Sequence, residues 1–175
     1  MITKNFKAIM AAVLESCGNA TTNGYLPVKN TSGVTCYMGG RFYGFPYSES
    51  YTVIFTPGSG VHVGSGNTAP TEDDYDLESE ITSGLTANTA APIFNVDADG
   101  NPYIDIVFTL TNTTASDITV REVGYVQQNM TASTLGSPVN DSARLLMDRT
   151  LLDSPVIVPA NGAAAIKYTL KTLIS

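Results

Sequence analysis

Apolar and polar side chains alternate most regularly between residues 103 and 110 of the chain. The apolar members of this alternation are Ile104, Ile106, Phe108 and Leu110. A period of two is typical of a β-strand with one buried face. A polar run at 111–117 separates this segment from a second β-rich segment at 118–126. We therefore predict that two strands lie here, at the centre of an all-β domain.

Glycine, proline and asparagine residues divide much of the remaining chain into shorter candidate strands. These candidates cover residues 25–28, 34–38, 42–47, 51–55, 93–96 and 155–159. Another alternating strand runs from Ala164 to Leu170, whereas residues 144–152 fit either a strand or a helical turn. The predicted fold class is mainly β: an antiparallel β-sandwich or jelly-roll-like domain with a short N-terminal α-helix. This single domain is expected to cover 19–175, with 57–92 as a long loop-rich excursion.

The N-terminal segment has the features of the one predicted helix. Residues 2–16 combine helical spacing of apolar residues with several alanines, and Gly18 is a stop signal. Residues 1–18 are therefore interpreted as a helical arm that docks on the domain or on a neighbouring subunit. Its expected interface residues are Phe6, Ile9 and Val13.

A lipoprotein signal is the alternative interpretation of the same segment. Lys4 and Lys7 would form the charged region, residues 8–14 the apolar core, and Cys17 the lipid-bearing position. Glu15 fits such a signal poorly. On this alternative the chain is a surface-anchored bacterial adhesin or a pilin-like lipoprotein.

The composition limits the classes of partner and the cellular compartment that we expect. The 175-residue chain has 16 acidic and 9 basic residues and a net charge of −7. This balance argues against a nucleic-acid partner, because phosphate binding needs clustered lysine and arginine. No run approaches the ~20 apolar residues that a membrane span requires. We interpret Cys17 and Cys36 as free thiols in a reducing cell rather than as a 17–36 disulfide.

Aromatic residues are concentrated between residues 37 and 55. Tyr43, Phe45 and Tyr47 are candidates for an interface patch, since aromatic side chains are enriched at protein interfaces. Their spacing near two also fits an aromatic sandwich core. A carbohydrate-binding module using Tyr43 and Tyr47 is a third interpretation, although the absence of tryptophan argues against sugar stacking.

Part of a calcium-binding loop is present at 95–100. The Asn-x-Asp-x-Asp-Gly pattern matches the first half of that loop, but Ile106 stands where the bidentate glutamate belongs. A tight turn between two strands explains the pattern more simply. We therefore predict no metal, with Asp97 and Asp99 as the residues that a cation would use.

A glycine-rich stretch and an acidic stretch follow each other between residues 57 and 81. The glycines at 58–66 are not followed by the Lys-Ser/Thr pair of a phosphate loop. Six acidic residues lie between Glu72 and Glu80. Collecting a cation is one interpretation; a solvated loop with one helical turn is the one we prefer.

Glu122 stands out in the second central strand. Simple alternation places it on one face with Ile118 and Val120, where a carboxylate is costly unless it is paired. Arg144 and Arg149 are the expected partners, since Arg121 points the other way. We interpret this as a structural ion pair rather than as a catalytic carboxylate.

Catalytic motifs are sparse. His62 is the only histidine, so any Ser-His-Asp or Cys-His arrangement would depend on it, and no Gly-x-Ser-x-Gly elbow is present. We therefore expect no enzyme, no catalytic residue, no cofactor and no small-molecule substrate.

Three segments resemble the virion structural proteins of tailed bacteriophages. VGSGNTAPTEDDYDLESEI (63–81) is similar to the phrase G-x-G-x-T-x-P-x-x-x-D-Y-x-L of that family. LTNTTASDITVREVGYV (110–126) is similar to its N-x-(S/T) and I-x-(I/V)-x-E-x-G strand phrase. LLMDRTLLDSPVIVPANGAAAIKYTL (145–170) is similar to its ending, with Asn161-Gly162 in place of a glycine after Pro-Ala.

The resemblance implies a non-enzymatic, multicopy protein of a phage particle that assembles in the host bacterial cytoplasm. It leaves open whether the protein belongs to the head exterior, the neck or the tail. The expected partners are further copies of the chain and other virion proteins. A β domain with a helical arm suits such symmetric assembly.

Overall fold

The computed structural model describes residues 1–7, 26–38, 60–89, 93–133 and 142–171, and these contain a helical turn at 4–7 and nine β-strands. The strands are β1 (Leu26–Lys29), β2 (Thr35–Met38), β3 (Gly60–Gly64), β4 (Leu85–Thr89), β5 (Ile93–Val96), β6 (Pro102–Asn112), β7 (Ile118–Ser133), β8 (Ser142–Val158) and β9 (Ala163–Lys171). The predicted mainly β fold with a short N-terminal helix is therefore confirmed.

The first sheet is built around β7, and all of its pairings are antiparallel. β8 pairs with one edge of β7 from Ile118 to Thr131, and β3 pairs with the other edge between Glu122 and Val126. β2 meets the last residues of β7, and β1 forms a hairpin with β2.

The second sheet is built in the same way around β6. β9 pairs antiparallel with β6 from Tyr103 to Thr111. β4 and β5 both pair with β6 as well, so they must share its opposite edge, one after the other. The two best-patterned strands of the sequence are thus the central strands of two different sheets, connected by the short segment 113–117.

One apolar core lies between the two sheets. Phe108 and Leu110 from β6 pack with Val120 and Val123 from β7 and with Val61 from β3, and all five are at most 1% exposed. Each sheet thereby covers the apolar face of the other, which gives a sandwich-like arrangement.

An irregularity in β7 changes which side chains face this core. The register with β8 shifts between Val120 and Glu122, so alternation is interrupted at this point. Val120 and Val123 face the core, whereas Glu122 contacts the loop on the opposite face of the sheet. The prediction that Glu122 shares a face with Val120 is therefore wrong, because the pairing is irregular here: β8 advances five residues, from Leu151 to Val156, while β7 advances two.

Two predicted element boundaries also differ. Ile2 and Thr3, placed in a helix by their spacing, pair instead with β8, where the Thr3 amide donates to the Met147 carbonyl at 3.1 Å. Residues 57–92, predicted as a loop-rich excursion, contribute β3 to the first sheet and β4 to the second. Residues 144–152, left open between strand and helical turn, belong to β8.

Several predicted interface residues lie outside the described part of the chain. These are Ile9, Val13, Tyr43, Phe45 and Tyr47, together with Cys17. Phe6 is half-buried in the helical turn, and Cys36 is buried in β2. Across the described ranges, helical structure is too short to cross a membrane.

Phe108→Ala is expected to destabilise the fold by about 3–5 kcal/mol, because it leaves a cavity in the middle of the core. The matched control is Phe94→Ala, since Phe94 is 78% exposed and Phe108 only 1%. Urea unfolding of both variants measures the difference. Equal losses for the two phenylalanines would contradict the proposed core.

Candidate functional site

The acidic loop, residues 65–80, lies on the outer face of the first sheet. Its two ends are held together at the end of β3: the Ser65 amide donates to the Ser79 carbonyl at 2.8 Å, and the Ile81 amide donates to the Val63 carbonyl at 2.9 Å. The loop therefore leaves the sheet and returns to it at one point, and its residues cover β7 and β8.

The Glu122 carboxylate is enclosed between this loop and the sheet, with no exposed surface. It accepts hydrogen bonds from three loop amides, those of Gly66 at 3.1 Å, Glu78 at 3.2 Å and Ser79 at 2.9 Å. Arg149 Nε donates a fourth at 2.7 Å. A buried carboxylate is tolerated when its oxygens are fully hydrogen-bonded and its charge is paired, and both conditions hold here.

Two glycines allow this close approach of backbone to carboxylate. A Cβ at Gly66 would lie 2.6 Å from Glu122 Oε1, and a Cβ at Gly64 would lie 2.6 Å from the Ser79 carbonyl oxygen. Real Cβ atoms essentially never approach other atoms so closely. The backbone of the glycine-rich stretch therefore forms a cradle around an anion, and this anion is the carboxylate of Glu122.

Arg149 connects the cradle to the rest of the loop. Its side chain is 3% exposed, and Nη1 lies 2.8 Å from Asp74 Oδ2. Nη2 donates to the Thr68 carbonyl at 3.2 Å and lies 3.4 Å from a Glu78 oxygen. Arg149 is thus the arginine that the structure places against Glu122, and it holds three further loop residues.

A leucine anchors the loop next to these charges. Leu77 is 6% exposed and packs with Val126 and Leu146 on the outer face of the sheet. A Cβ at Gly124 would lie 2.8 Å from the Leu77 side chain. Gly124 therefore leaves the space in β7 that the leucine fills.

Arg144, the other arginine considered for Glu122, lies in a separate cluster with His62 and Glu80. His62 Nδ1 is 2.5 Å from Glu80 Oε1, and Arg144 Nη2 is 3.4 Å from the same oxygen. The short distance indicates that Nδ1–H donates to the carboxylate. His62 is 3% exposed, and its Nε2 has no hydrogen-bond partner within the described ranges.

The pKa values of the loop acids reflect these contacts. The hydrogen bond from His62 holds the pKa of Glu80 below its ordinary value, and the Thr68 amide does the same for Glu78. Burial alone would raise the pKa of Asp74, but hydrogen bonds from Arg149 and Thr71 lower it overall. Asp76 is the exception, because burial raises its pKa.

The acidic loop is therefore not simply a solvated loop, as the sequence suggested. Asp74 and Glu78 lie within ion-pair distance of Arg149, and Glu80 lies within ion-pair distance of His62. Only the outermost acids make exposed pairs with lysine, Asp73 with Lys4 at 2.6 Å and Glu72 with Lys7 at 2.5 Å. The expected helical turn is not formed: residues 72–73 make a hydrogen-bonded turn, and the Thr71 hydroxyl donates to Asp74 at 2.8 Å.

The calcium-like segment 95–100 forms a turn. Asp97 Oδ1 accepts the amides of Asp99 at 3.0 Å and Asn101 at 2.9 Å, which closes the connection between β5 and β6. In the parts of the chain that the structure covers, no group of three or more His, Cys, Asp or Glu side chains is arranged to hold a metal ion.

Sequence reasoning identified Glu122 and its need for an arginine, but missed the hydrogen-bond donors and the ion-pair partners that the loop supplies. From the sequence alone, Asp74, Glu78 and Glu80 are only members of an acidic stretch, and nothing pairs His62 with Glu80. The available signal was the pair Gly64 and Gly66, which marks a place where backbone approaches another group closely. The chain matches no protein-family model and shows no significant match to a curated protein or to a solved structure.

Glu122→Ala is expected to destabilise the protein by about 3–5 kcal/mol, because it leaves the Arg149 charge buried without its partner. Glu122→Gln keeps the shape and one acceptor oxygen, so a smaller loss is expected. Chemical denaturation measures both. A Glu122→Ala variant as stable as the unmodified protein would contradict the structural role.

Asp74→Asn and Asp76→Asn are expected to change stability in opposite directions at neutral pH. The pKa of Asp74 is lowered in the fold, so its charge contributes stability above its unfolded pKa of about 3.9, and the contribution is lost as pH falls. The pKa of Asp76 is raised, so ionisation of Asp76 opposes folding as pH rises.

The neutral asparagine should therefore destabilise at position 74 and stabilise slightly, by less than about 1 kcal/mol, at position 76. Urea midpoints at pH 7 and near pH 3 check both signs, and the two effects should shrink at the lower pH, because the carboxyls become increasingly protonated there, above all in the unfolded chain for Asp74. Destabilisation by both variants would show that burial does not dominate at Asp76.

Proposed function

We propose that the chain is a non-enzymatic structural subunit of a tailed phage particle, present in many copies. On this proposal it self-assembles through its β domain and N-terminal segment, and functions in the virion after assembly in the bacterial cytoplasm. Its partners are further copies and other virion proteins. The family resemblance of the three segments is the origin of the proposal.

The observation that carries it is that the residues of these three segments meet in one structural unit. The first segment supplies Gly66, Asp74 and Leu77, the second supplies Glu122, and the third supplies Arg149. These segments are far apart in sequence, and each supplies a part that the others require. In this chain the residues of the three segments thus serve one physical task, which is to fix a long loop to a sheet.

The chemistry of this unit supports a scaffold. Glu122 and His62, the side chains that acid–base catalysis would use, are 0% and 3% exposed. The hydrogen bonds of the Glu122 carboxylate all go to the loop and to Arg149. These groups hold the protein together, which is what a subunit under load in a particle requires.

The N-terminal segment supports the same proposal. Asn5 is 5% exposed, and its side-chain amide bonds both backbone groups of Lys29, with Nδ2 donating to the carbonyl at 2.6 Å and Oδ1 accepting the amide at 2.9 Å. Lys4 and Lys7 reach the acidic loop. Residues 1–7 thus link β1, β8 and the loop within one copy and belong to the same scaffold.

The proposal is tested by looking for the protein in particles. Virions purified from a producing culture should contain the intact chain at many copies per particle by quantitative mass spectrometry, and electron microscopy should show it as a repeated density. Light scattering after size exclusion should show self-association. A strictly monomeric protein absent from any particle would contradict the proposal, as would a mature chain beginning at Cys17.

A further inference from the structure

The largest exposed apolar side chains of the second sheet are concentrated on β5. Ile93 is 54% exposed, Phe94 78% and Val96 65%. β5 pairs with β6 on one side, and no other described strand pairs with it. Among the described strands its outer backbone edge is thus unpaired, and three of its four side chains are largely exposed.

This apolar character is local to β5. β4 lies along the same edge of β6, but its exposed side chains are the polar Thr86 and Asn88. Natural proteins protect exposed strand edges by keeping them short or with charged residues, proline or bulges. β5 is short, with four residues, but Ile93–Val96 contains no charged residue or proline, and its register with β6 is regular.

The side chains of β5 extend the inner face of the second sheet beyond the buried core. Phe94 lies opposite Ile104, and Ile104 lies opposite Leu170 of β9, so the three form a row across the sheet. Ile104 and Leu170 are half-buried, and the row ends at the exposed Phe94. An uncharged groove of about 380 Å³ lies here, lined by Phe94, Asn95, Val96, Pro102, Tyr103, Ile104 and Leu170.

We infer that β5 pairs antiparallel with β5 of a second copy, about a two-fold axis through Asn95. In this register the inner-face residues Phe94 and Val96 of each copy lie opposite Val96 and Phe94 of the other. Aromatic and β-branched side chains in directly opposed positions are favourable cross-strand pairs. The two Asn95 side chains lie near the axis on the outer face, where each Nδ2 also donates to Asp105 Oδ2 of its own copy at 3.3 Å.

Charge is the reason for choosing a second copy rather than a charged partner. Neither β5 nor the groove contains a charged side chain, so the occupant must present uncharged apolar residues in an extended strand. The β5 strand of another copy does so. Asp97, which follows β5, lies opposite Ile93 of the other copy in this register, so the two aspartates are kept apart.

The size of the contact sets its strength. Three partly exposed side chains bury roughly 300–400 Å² on each copy, less than the ~800 Å² per partner of a stable complex. A single pair is therefore weak, and it becomes effective where many copies are held together. The inference rests on the proposed multicopy assembly and names the surface that joins neighbouring copies.

Sedimentation velocity over a hundredfold concentration range, at low and at physiological salt, tests the contact. The unmodified protein should associate as concentration rises, and more strongly with added salt, because salt screens repulsion between copies that each carry a charge of −7. Phe94→Asp and Val96→Asp should each weaken association at least tenfold. Ile157→Asp, at a 58% exposed site on β8, is the control and should associate normally.

An unmodified protein that stays monomeric throughout would overturn the inference, as would normal association of Phe94→Asp or weakening by salt. Mass spectrometry of purified virions separates this result from the proposed function. If copies are present in particles but Phe94→Asp associates as strongly as the unmodified protein, only the β5 contact is overturned. If Phe94→Asp loses association but no copies are found in particles, only the virion role is overturned.

Discussion

A fully buried ion pair between Glu122 and Arg149 constrains the rest of this structure. Removing two charges from water costs several kcal/mol for each ion unless every polar atom finds a partner. The sheet alone cannot supply those partners, because the backbone groups of its strands already bond one another. The acidic loop supplies them, with three amides for the carboxylate and two carboxylates for the guanidinium. The position of the loop follows from this need.

The same constraint explains why particular residues are required at several positions that are otherwise unrelated. Gly66 is required because the Glu122 carboxylate lies against the loop backbone, and Gly124 because Leu77 needs space in β7. The His62–Glu80 pair secures the returning end of the loop in the same way. Loop and sheet are therefore one unit, held by buried charges on the outer face, while the apolar core between the sheets holds the sandwich together.

The sandwich was predictable because alternation is a local signal. Ile104 to Leu110 identified β6 as central, and the need of a buried Glu122 for an arginine was also readable. The irregular pairing after Val120 was not, because it depends on how β8 pairs with β7. The choice of Arg149 over Arg144 and the role of Asp74 depend on a loop whose contacts with Glu122 come from 43 residues or more away in sequence. No local pattern encodes such contacts.

Two surfaces thus have opposite characters. The outer face of the first sheet is covered by the acidic loop, whereas no strand in the described part of the chain pairs with the outer edge of β5 in the second sheet. Amide hydrogen exchange tests the central claim most directly, because Gly66 and Ser79 lie outside every strand but donate to a buried carboxylate. Their amides should exchange as slowly as those in the middle of β7. Exchange at the rate of an exposed loop would show that the acidic loop is not fixed to the sheet.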